Sequence, residues 1–234
     1  MFQNFISHPF FSEGIFCYMV ENATLYFLLC GLFLTVVPYL LGSINFAIII
    51  SGKRFNDDVR SHGSGNAGMT NMLRTYGKRA AALTLGGDAL KAIVAALVGY
   101  FMMGMTGAYI AGFFCVLGHT FPIFFKFKGG KGVVTAAASM LMCNPLVFLV
   151  LLVLFVVIVG IWRYISLGSI MCALLYPVVL NGVDKILLPQ HTSGIYIIFV
   201  ILTAVLVVLK HKDNIKRLLE GKENKLSFKR NNDN

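Results

Sequence analysis

The sequence predicts an all-α integral membrane protein of seven transmembrane helices, with its N-terminus outside, its C-terminus in the cytoplasm and a short fourth helix at a cytoplasm-facing cavity. Three observations predict this. The 234-residue chain is 57% hydrophobic and 13% charged, with a mean hydropathy of +0.77, far more apolar than a soluble domain. Its apolar residues gather into seven runs. When those runs are taken as crossings, 18 of the 20 Lys and Arg residues fall on one side.

Taken in order, the first run is Thr24 to Ile50. The preceding segment 1–23 is expected to be extracytoplasmic, and the first fifty residues contain no Lys or Arg, so the basic start of a secretory signal peptide is missing. Arg79 to Met103 is the second run, interrupted by Asp88 and Lys91 three residues apart. Charges at that depth pair or line a cavity. Thr106 to Phe121 is the third. Val133 to Cys143 is the fourth, too short to cross about 30 Å of hydrocarbon at about 1.5 Å per residue, so it is expected to begin inside the membrane behind a polar loop. Asn144–Pro145 separates it from Leu146 to Trp162, because proline removes a backbone donor and restricts the residue before it. Ser166 to Leu187 and Ile195 to Leu209 complete the seven, giving a membrane domain over 24–210 and a basic cytoplasmic segment over 211–234.

The charge count supports that break. With seven crossings, six Lys and Arg residues lie in the first inner loop, three in the second, one (Arg163) in the third and eight in the tail. Lys185 alone lies opposite, and Lys91 lies within a span. With six crossings, Arg163 and the whole tail would face away from the first loop, against the positive-inside pattern.

The net charge of +10 suits anionic lipid or an anionic substrate. It does not point to nucleic acid, since the basic residues are divided among loops between apolar runs. The cysteines Cys17, Cys30, Cys115, Cys143 and Cys172 form no CxxC pair and read as small buried hydrophobes. No metal and no cofactor is expected.

Three polar islands interrupt the apolar chain. His62 to Arg74 (HGSGNAGMTNMLR) carries Ser64, Gly65, Asn66, Thr70, Asn71 and Arg74. Glycines let the backbone approach an oxyanion, successive amides form an anion-binding nest, and Arg forks onto phosphate or carboxylate. In Gly118 to Gly132 (GHTFPIFFKFKGGKG), Lys128, Gly129, Gly130 and Lys131 precede a helical run whose free amides favour phosphate. The spacing is not that of a Walker A loop. His119 is either a donor or a capping group. In the third island His211, Asn214 and Arg217 share one helical face, followed by Glu223. Blander readings are a flexible linker, a basic turn that sets topology and a solvated tail. For Asp88 and Lys91 a structural ion pair stands beside a catalytic role.

The segments GSGNAGMTNMLRTYGK, GHTFPIFFKFKGGKG, RYISLGSI and HKDNIKRLLEGKENKL, in this order, resemble the acyl-phosphate:glycerol-3-phosphate acyltransferase family of bacteria. The resemblance spans about Leu41 to Leu226. It departs from the family at Asn45, where proline is frequent, at Met69, where alanine is usual, and at Ala92, where glycine often follows the lysine; none removes a polar site group. The resemblance implies a seven-helix enzyme of the bacterial inner membrane with its site facing the cytoplasm. It implies transfer of a fatty acyl group from acyl phosphate to the 1-hydroxyl of sn-glycerol 3-phosphate, giving lysophosphatidic acid and phosphate, with the donor supplied by an acyl-phosphate-forming enzyme.

Placed on this family, Ser64, Asn66, Asn71 and Arg74 are expected to hold the acyl-phosphate end, with Gly65 and Thr70 beside them. Lys128, Lys131, Gly129 and Gly130 are expected to hold phosphate. His211, Asn214 and Arg217 are expected to bind glycerol phosphate, with Glu223 and His119 contributing. An acyl phosphate is already activated, so no enzyme nucleophile is required, and the resemblance implies that substrate phosphate takes the hydroxyl proton, with His211 as the alternative base. The rival readings are a transporter of a phosphorylated solute and a lipid-binding scaffold. The absence of an internal repeat and the one-sided charge count against the transporter.

Overall fold

The computed structural model describes residues 23–187 and 196–226; the N-terminal segment 1–22, the linker 188–195 with the start of the seventh run, and the tail beyond 226 lie outside the described residues. Among the described residues every regular element is a helix. They are α1 (Ala23–Ser43), α2 (Phe46–Phe55), α3 (Met69–Thr120), α4 (Val133–Cys143), α5 (Pro145–Trp162), α6 (Ile165–Leu187), α7 (Tyr196–Lys210) and α8 (Lys212–Leu219). Among the described residues four stretches are long and apolar enough to cross a membrane: Leu28–Phe55, Met69–Phe125, Pro145–Trp162 and Ile165–Ile186. Val133–Cys143 and Tyr196–Lys210 are shorter apolar helices.

The second of these stretches is not one rod. Backbone angles leave the helical range at Gly77 and again at Met103 and Gly104. Gly104 takes φ 58 with ψ −151, a region open in practice to glycine alone. The chain reverses there, and residues 78–102 lie against residues 105–120. The limbs meet at Gly99 and Gly107, where a Cβ on either would fall 2.1 Å from the other's carbonyl oxygen. The separation of the second and third runs is therefore present, folded into one continuous element. The break at 144 is present too: the Asn144 side chain accepts from the Val147 amide at 3.1 Å with Pro145 in the first turn.

The first run is divided where the sequence reads as continuous. α1 ends at Ser43 and α2 begins at Phe46, with Asn45 extended between them. Asn45 caps α2 by accepting from the Ile48 amide at 3.1 Å, and its own amide donates to the Ala67 carbonyl at 3.2 Å. The carbonyls freed at the end of α1 are taken by a charge from another helix. Lys91 Nζ donates to the oxygens of Gly42 at 2.8 Å and Ile44 at 2.6 Å. The same ammonium lies 2.8 Å from Asp88 Oδ1 and 3.1 Å from His119 Nδ1. Asp88, Lys91 and His119 are all buried, so the pair that interrupts the second run ties the broken helix to both limbs of α3.

Around this tie, α1 packs along α3, α3 along α4, and α5, α6 and α7 follow in chain order. The outer surface is hydrophobic: Leu28, Val153, Val156, Ile161 and Val178 are all exposed. Of α5, only Val147, Leu151 and Ile158 are fully buried. Such an all-round apolar helix is stable when its outer face meets lipid. Cys30, Cys115 and Cys143 are buried and Cys172 is half-buried, as expected of small hydrophobes; Cys17 lies outside the described residues.

Removing one partner of a buried ion pair strands the other charge. Lys91→Met should therefore destabilise the protein by about 3–5 kcal/mol, read from denaturation in detergent. A loss below about 1 kcal/mol, the scale of an exposed pair, would contradict the role given to Lys91.

Candidate active site

The first polar loop is built on Asn71. This buried residue donates from Nδ2 to the carbonyls of Val59 at 2.9 Å and His62 at 3.0 Å, and its Oδ1 accepts from the Ser64 amide at 3.1 Å. Three backbone groups of the loop converge on one side-chain amide. Asn71 was expected to hold the acyl-phosphate end; its hydrogen bonds instead shape the loop that presents Ser64. Ser64 is exposed, Asn66 half-buried and Arg74 exposed, and all three line one cavity with Thr70. Gly65 turns the loop at φ 68 and its amide returns to the His62 carbonyl at 2.9 Å.

The second loop is built on His119. A Cβ on Gly129 would fall 2.0 Å from the His119 carbonyl oxygen, and one on Gly130 would fall 2.1 Å from His119 Nε2 and 2.7 Å from the Ala67 carbonyl oxygen. The Gly130 amide donates to the His119 carbonyl at 3.1 Å. These glycines are required by close packing on His119, a different reason from the phosphate contact expected of them. Packing there delivers Lys131 to the cavity at the start of α4, whose N-cap residue Gly132 provides no side-chain bond. Val133 and Val134 of the first turn line the cavity, and the positive end of a helix favours an anion. Lys128 does not follow: its side chain is exposed and its carbonyl is held by Arg60 at 3.2 Å.

The third island closes the ring. Lys131 Nζ donates to Asn214 Oδ1 at 2.5 Å. Asn214 Nδ2 donates to Glu223 Oε1 at 2.9 Å, Ser166 Oγ donates to the same oxygen at 3.0 Å, and Arg217 Nε donates to Glu223 Oε2 at 2.8 Å. Glu223, expected among the substrate-binding residues, lines the cavity, and its oxygens accept from three protein donors, so that it holds Asn214 and Arg217. The segment carrying it is fastened by the Leu226 amide on the Arg163 carbonyl at 2.7 Å. Residues 211–226 are thus part of the site.

Three cations, Arg74, Lys131 and Arg217, face the cavity with Glu223 as the one carboxylate beside them; the carboxylate of Asp88 is neutralised by Lys91. Arg74 makes no hydrogen bond or ion pair among the described residues. Burial pushes the Lys131 ammonium down to about 8; Glu223 opposes the shift, and the positive charges of Arg217 and Arg74 reinforce it. Burial raises the Glu223 carboxyl, but the hydrogen bonds from Asn214, Arg217 and Ser166 outweigh it and hold it below its ordinary value. Burial pushes His211 down to about 4. Its Nδ1 lies 2.7 Å from the Val207 carbonyl, and a carbonyl only accepts, so Nδ1 carries the proton and neutral Nε2 keeps its lone pair.

The cavity occupies about 550 Å³. From its cationic end it runs between α4, α5 and α6 along Leu141, Phe148, Leu152, Phe155 and Tyr176. Of the residues expected from sequence, Ser64, Asn66, Thr70, Asn71, Arg74, His119, Lys131, His211, Asn214, Arg217 and Glu223 line it, whereas Gly65, Lys128, Gly129 and Gly130 do not. Ser166 and Asn224 are additional wall residues. Ser166 lies within RYISLGSI, a segment that carried the family resemblance, yet a lone serine at a helix start gives no chemical signal. Among the described residues no group of His, Cys, Asp and Glu forms a metal site.

The family model described as glycerol-3-phosphate acyltransferase matches residues 32–221. A glycerol-3-phosphate acyltransferase of Thermoanaerobacter sp. (strain X514) is 42% identical over 194 residues, covering 83% of this chain and 94% of that protein. One from Clostridioides difficile (strain 630) is 39% identical over 203 residues, covering 84% and 96%. A crystal structure of PlsY (YgiH), an integral membrane glycerol 3-phosphate acyltransferase, in its glycerol 3-phosphate form, matches with TM-score 0.76 at 35% identity, covering 84% of this chain and 96% of that one. Its lysophosphatidic acid form matches with TM-score 0.73 at 34% identity. By family match, sequence and fold, this chain belongs to the glycerol-3-phosphate acyltransferase family.

Proposed function

We propose that this protein transfers a fatty acyl group from acyl phosphate to the 1-hydroxyl of sn-glycerol 3-phosphate, releasing lysophosphatidic acid and inorganic phosphate. The observation that carries this reading is the shape of the cavity: three cations at one end and an apolar passage between α4, α5 and α6 at the other. That combination fits an amphiphile with a phosphate head and a long chain, which describes both the acyl donor and the product. The family relatives act on glycerol 3-phosphate by name, and the two PlsY structures are described as glycerol 3-phosphate and lysophosphatidic acid forms.

The chemistry needs little from the protein beyond placement and charge. The glycerol hydroxyl oxygen attacks the acyl carbonyl carbon, the bond from that carbon to the phosphate oxygen breaks, and the hydroxyl proton leaves with the departing phosphate. Arg74, Lys131 and the α4 amides take the charge that grows on the donor phosphate. Arg217 and Asn214 hold glycerol 3-phosphate, and neutral His211, whose Nε2 carries a lone pair, is the alternative acceptor for the hydroxyl proton. Holding both anions in one cationic site offsets their mutual repulsion, and such placement supplies about 7–11 kcal/mol of a barrier. Ser64, Asn66 and Thr70 add donors at the donor-phosphate side.

We also infer seven crossings: α1 with α2, the two limbs of α3, then α4, α5, α6 and α7. Segment 1–23 then lies outside, 24–210 is the membrane domain, and 211–234 with all three polar islands faces the cytoplasm of a bacterial inner membrane. The one-sided Lys and Arg distribution supports this orientation. A soluble or peripheral enzyme that forms acyl phosphate would supply the donor from that face.

Purified protein given palmitoyl phosphate and glycerol 3-phosphate should release phosphate and lysophosphatidic acid in equal amounts. Phosphorylated-solute flux in vesicles without product would favour a transporter. Arg74→Ala and Lys131→Ala should each lower turnover by about 10²–10³-fold while the protein stays folded; wild-type rates in folded variants would sink the assignment. Below about pH 8 Lys131 is a cation, and above it the charge is lost. Hence kcat/KM should fall as pH rises through about 8, and Lys131→Arg should move that fall to higher pH. A wild-type profile flat to pH 10 would contradict the role of Lys131.

A further inference from the structure

One side chain joins the two loops of the site without entering the proposed chemistry. Arg60 Nε donates to both oxygens of Asp58 at 3.0 Å, and Nη2 donates to Asp58 Oδ2 at 2.7 Å. Asp58 in turn caps the short 3₁₀ turn Val59–Ser61 by accepting from the Arg60 amide at 2.9 Å. That turn leads directly into the loop that Asn71 gathers around Ser64. The other end of the guanidinium crosses to the second loop, where Nη1 donates to the carbonyls of Phe125 at 3.1 Å and Lys128 at 3.2 Å.

Those two carbonyls bracket the least favourable backbone of the loop. Lys126 and Phe127 both take φ 58, a left-handed conformation unfavourable for a residue with a side chain. Such a bend persists where its surroundings over-determine it. Core packing does not do so here, because Lys126, Phe127 and Lys128 are exposed. The bend is held by two backbone bonds, the Phe127 amide on the Pro122 carbonyl at 2.9 Å and the Lys128 amide on the Phe125 carbonyl at a long 3.3 Å, and by the two bonds from Arg60. Lys131 follows Phe127 by four residues and reaches Asn214.

We propose that Arg60, oriented by Asp58, is a positioning residue for acyl transfer: it fixes the left-handed bend at 126–127, and so sets both the reach of Lys131 into the cavity and its placement relative to Ser64 and Arg74. Its planar fork reaches the two loops from different nitrogens, Nε and Nη2 on Asp58 and Nη1 on the Phe125 and Lys128 carbonyls, a span that a compact ammonium at position 60 does not reproduce. The proposal rests on the acyltransferase reading, and its test includes a readout that does not.

The test is Arg60→Ala, with titration of Lys131 followed by NMR on protein carrying isotope-labelled lysine, beside the acyl-transfer assay. The Lys131 resonance is assigned by its loss in Lys131→Arg. In the wild type Lys131 should titrate near 8. In Arg60→Ala, with the ammonium withdrawn from its buried place, it should titrate at higher pH, and kcat/KM should fall about a hundredfold, the scale of an ångström of misplacement. Arg60→Lys should not restore either. Asp58→Asn, which keeps the size and the capping oxygen, should move both in the same direction by less; it carries the test if Arg60→Ala does not fold. A folded variant with unchanged Lys131 titration overturns the proposal, whether its activity is kept or lost, because loss alone would mark a merely structural role. If the wild type forms no lysophosphatidic acid, the functional reading fails, while the titration still decides whether Arg60 places Lys131.

Discussion

One buried ammonium organises this protein. Lys91 reaches the carbonyls of Gly42 and Ile44, the carboxylate of Asp88 and the imidazole of His119. In a bundle surrounded by lipid, neither the charge nor the freed carbonyls could stay unsatisfied. Each solves the other's problem: the broken end of α1 needs donors, and the ammonium needs acceptors. The consequences run outward from that point. Asn45, exposed by the break, both caps α2 and takes the Ala67 carbonyl. His119, held by Lys91, becomes the surface against which Gly129 and Gly130 pack. That packing delivers Lys131, Lys131 meets Asn214, and Asn214 meets Glu223. A chain of contacts thus connects the middle of the membrane helices to the cationic mouth of the cavity.

What the sequence displayed was set by hydropathy and by local chemistry. The apolar runs, the short helix Val133–Cys143 and the break at Asn144–Pro145 are features of nearby residues, and they appear where expected. The division of the first run at Asn45 has a local mark in the capping asparagine itself, but the freed carbonyls are satisfied by a lysine 46 residues from it, which nothing in the run displays. Composition also located the polar islands, but not the work of each residue within them. Asn71 reads like a ligand group and shapes a loop. Gly129 and Gly130 read like a phosphate cradle and are small because His119 leaves no room. Glu223 reads like a polar contact and aims Asn214 and Arg217. In each case the decisive fact is the side chain's partner in the folded loop, and residue type alone carries no trace of it.

The site balances charge economically. Three cations and a set of neutral polar groups face one end of a cavity whose far walls are apolar, and the neighbouring carboxylates Asp88 and Glu223 are paired with Lys91 and Arg217. The uncompensated positive charge is therefore available to phosphate, and the low-dielectric surroundings strengthen that attraction. The continuous passage past Phe148 and Phe155 gives the same anion an apolar chain to carry. Family membership supplies the reaction class; the joining of a cationic end and a lipid-like end in one cavity supplies a physical reason for this chain to perform it.

The central claim is that both halves of the acyl donor occupy this one cavity. It is tested most directly by determining the structure of the protein bound to a non-hydrolysable acyl phosphonate. The account predicts the phosphonate between Arg74, Lys131 and the first amides of α4, with the chain lying among Leu141, Phe148, Leu152 and Phe155. A phosphonate bound away from Arg74 and Lys131, or a chain lying outside the passage between α4, α5 and α6, would contradict it.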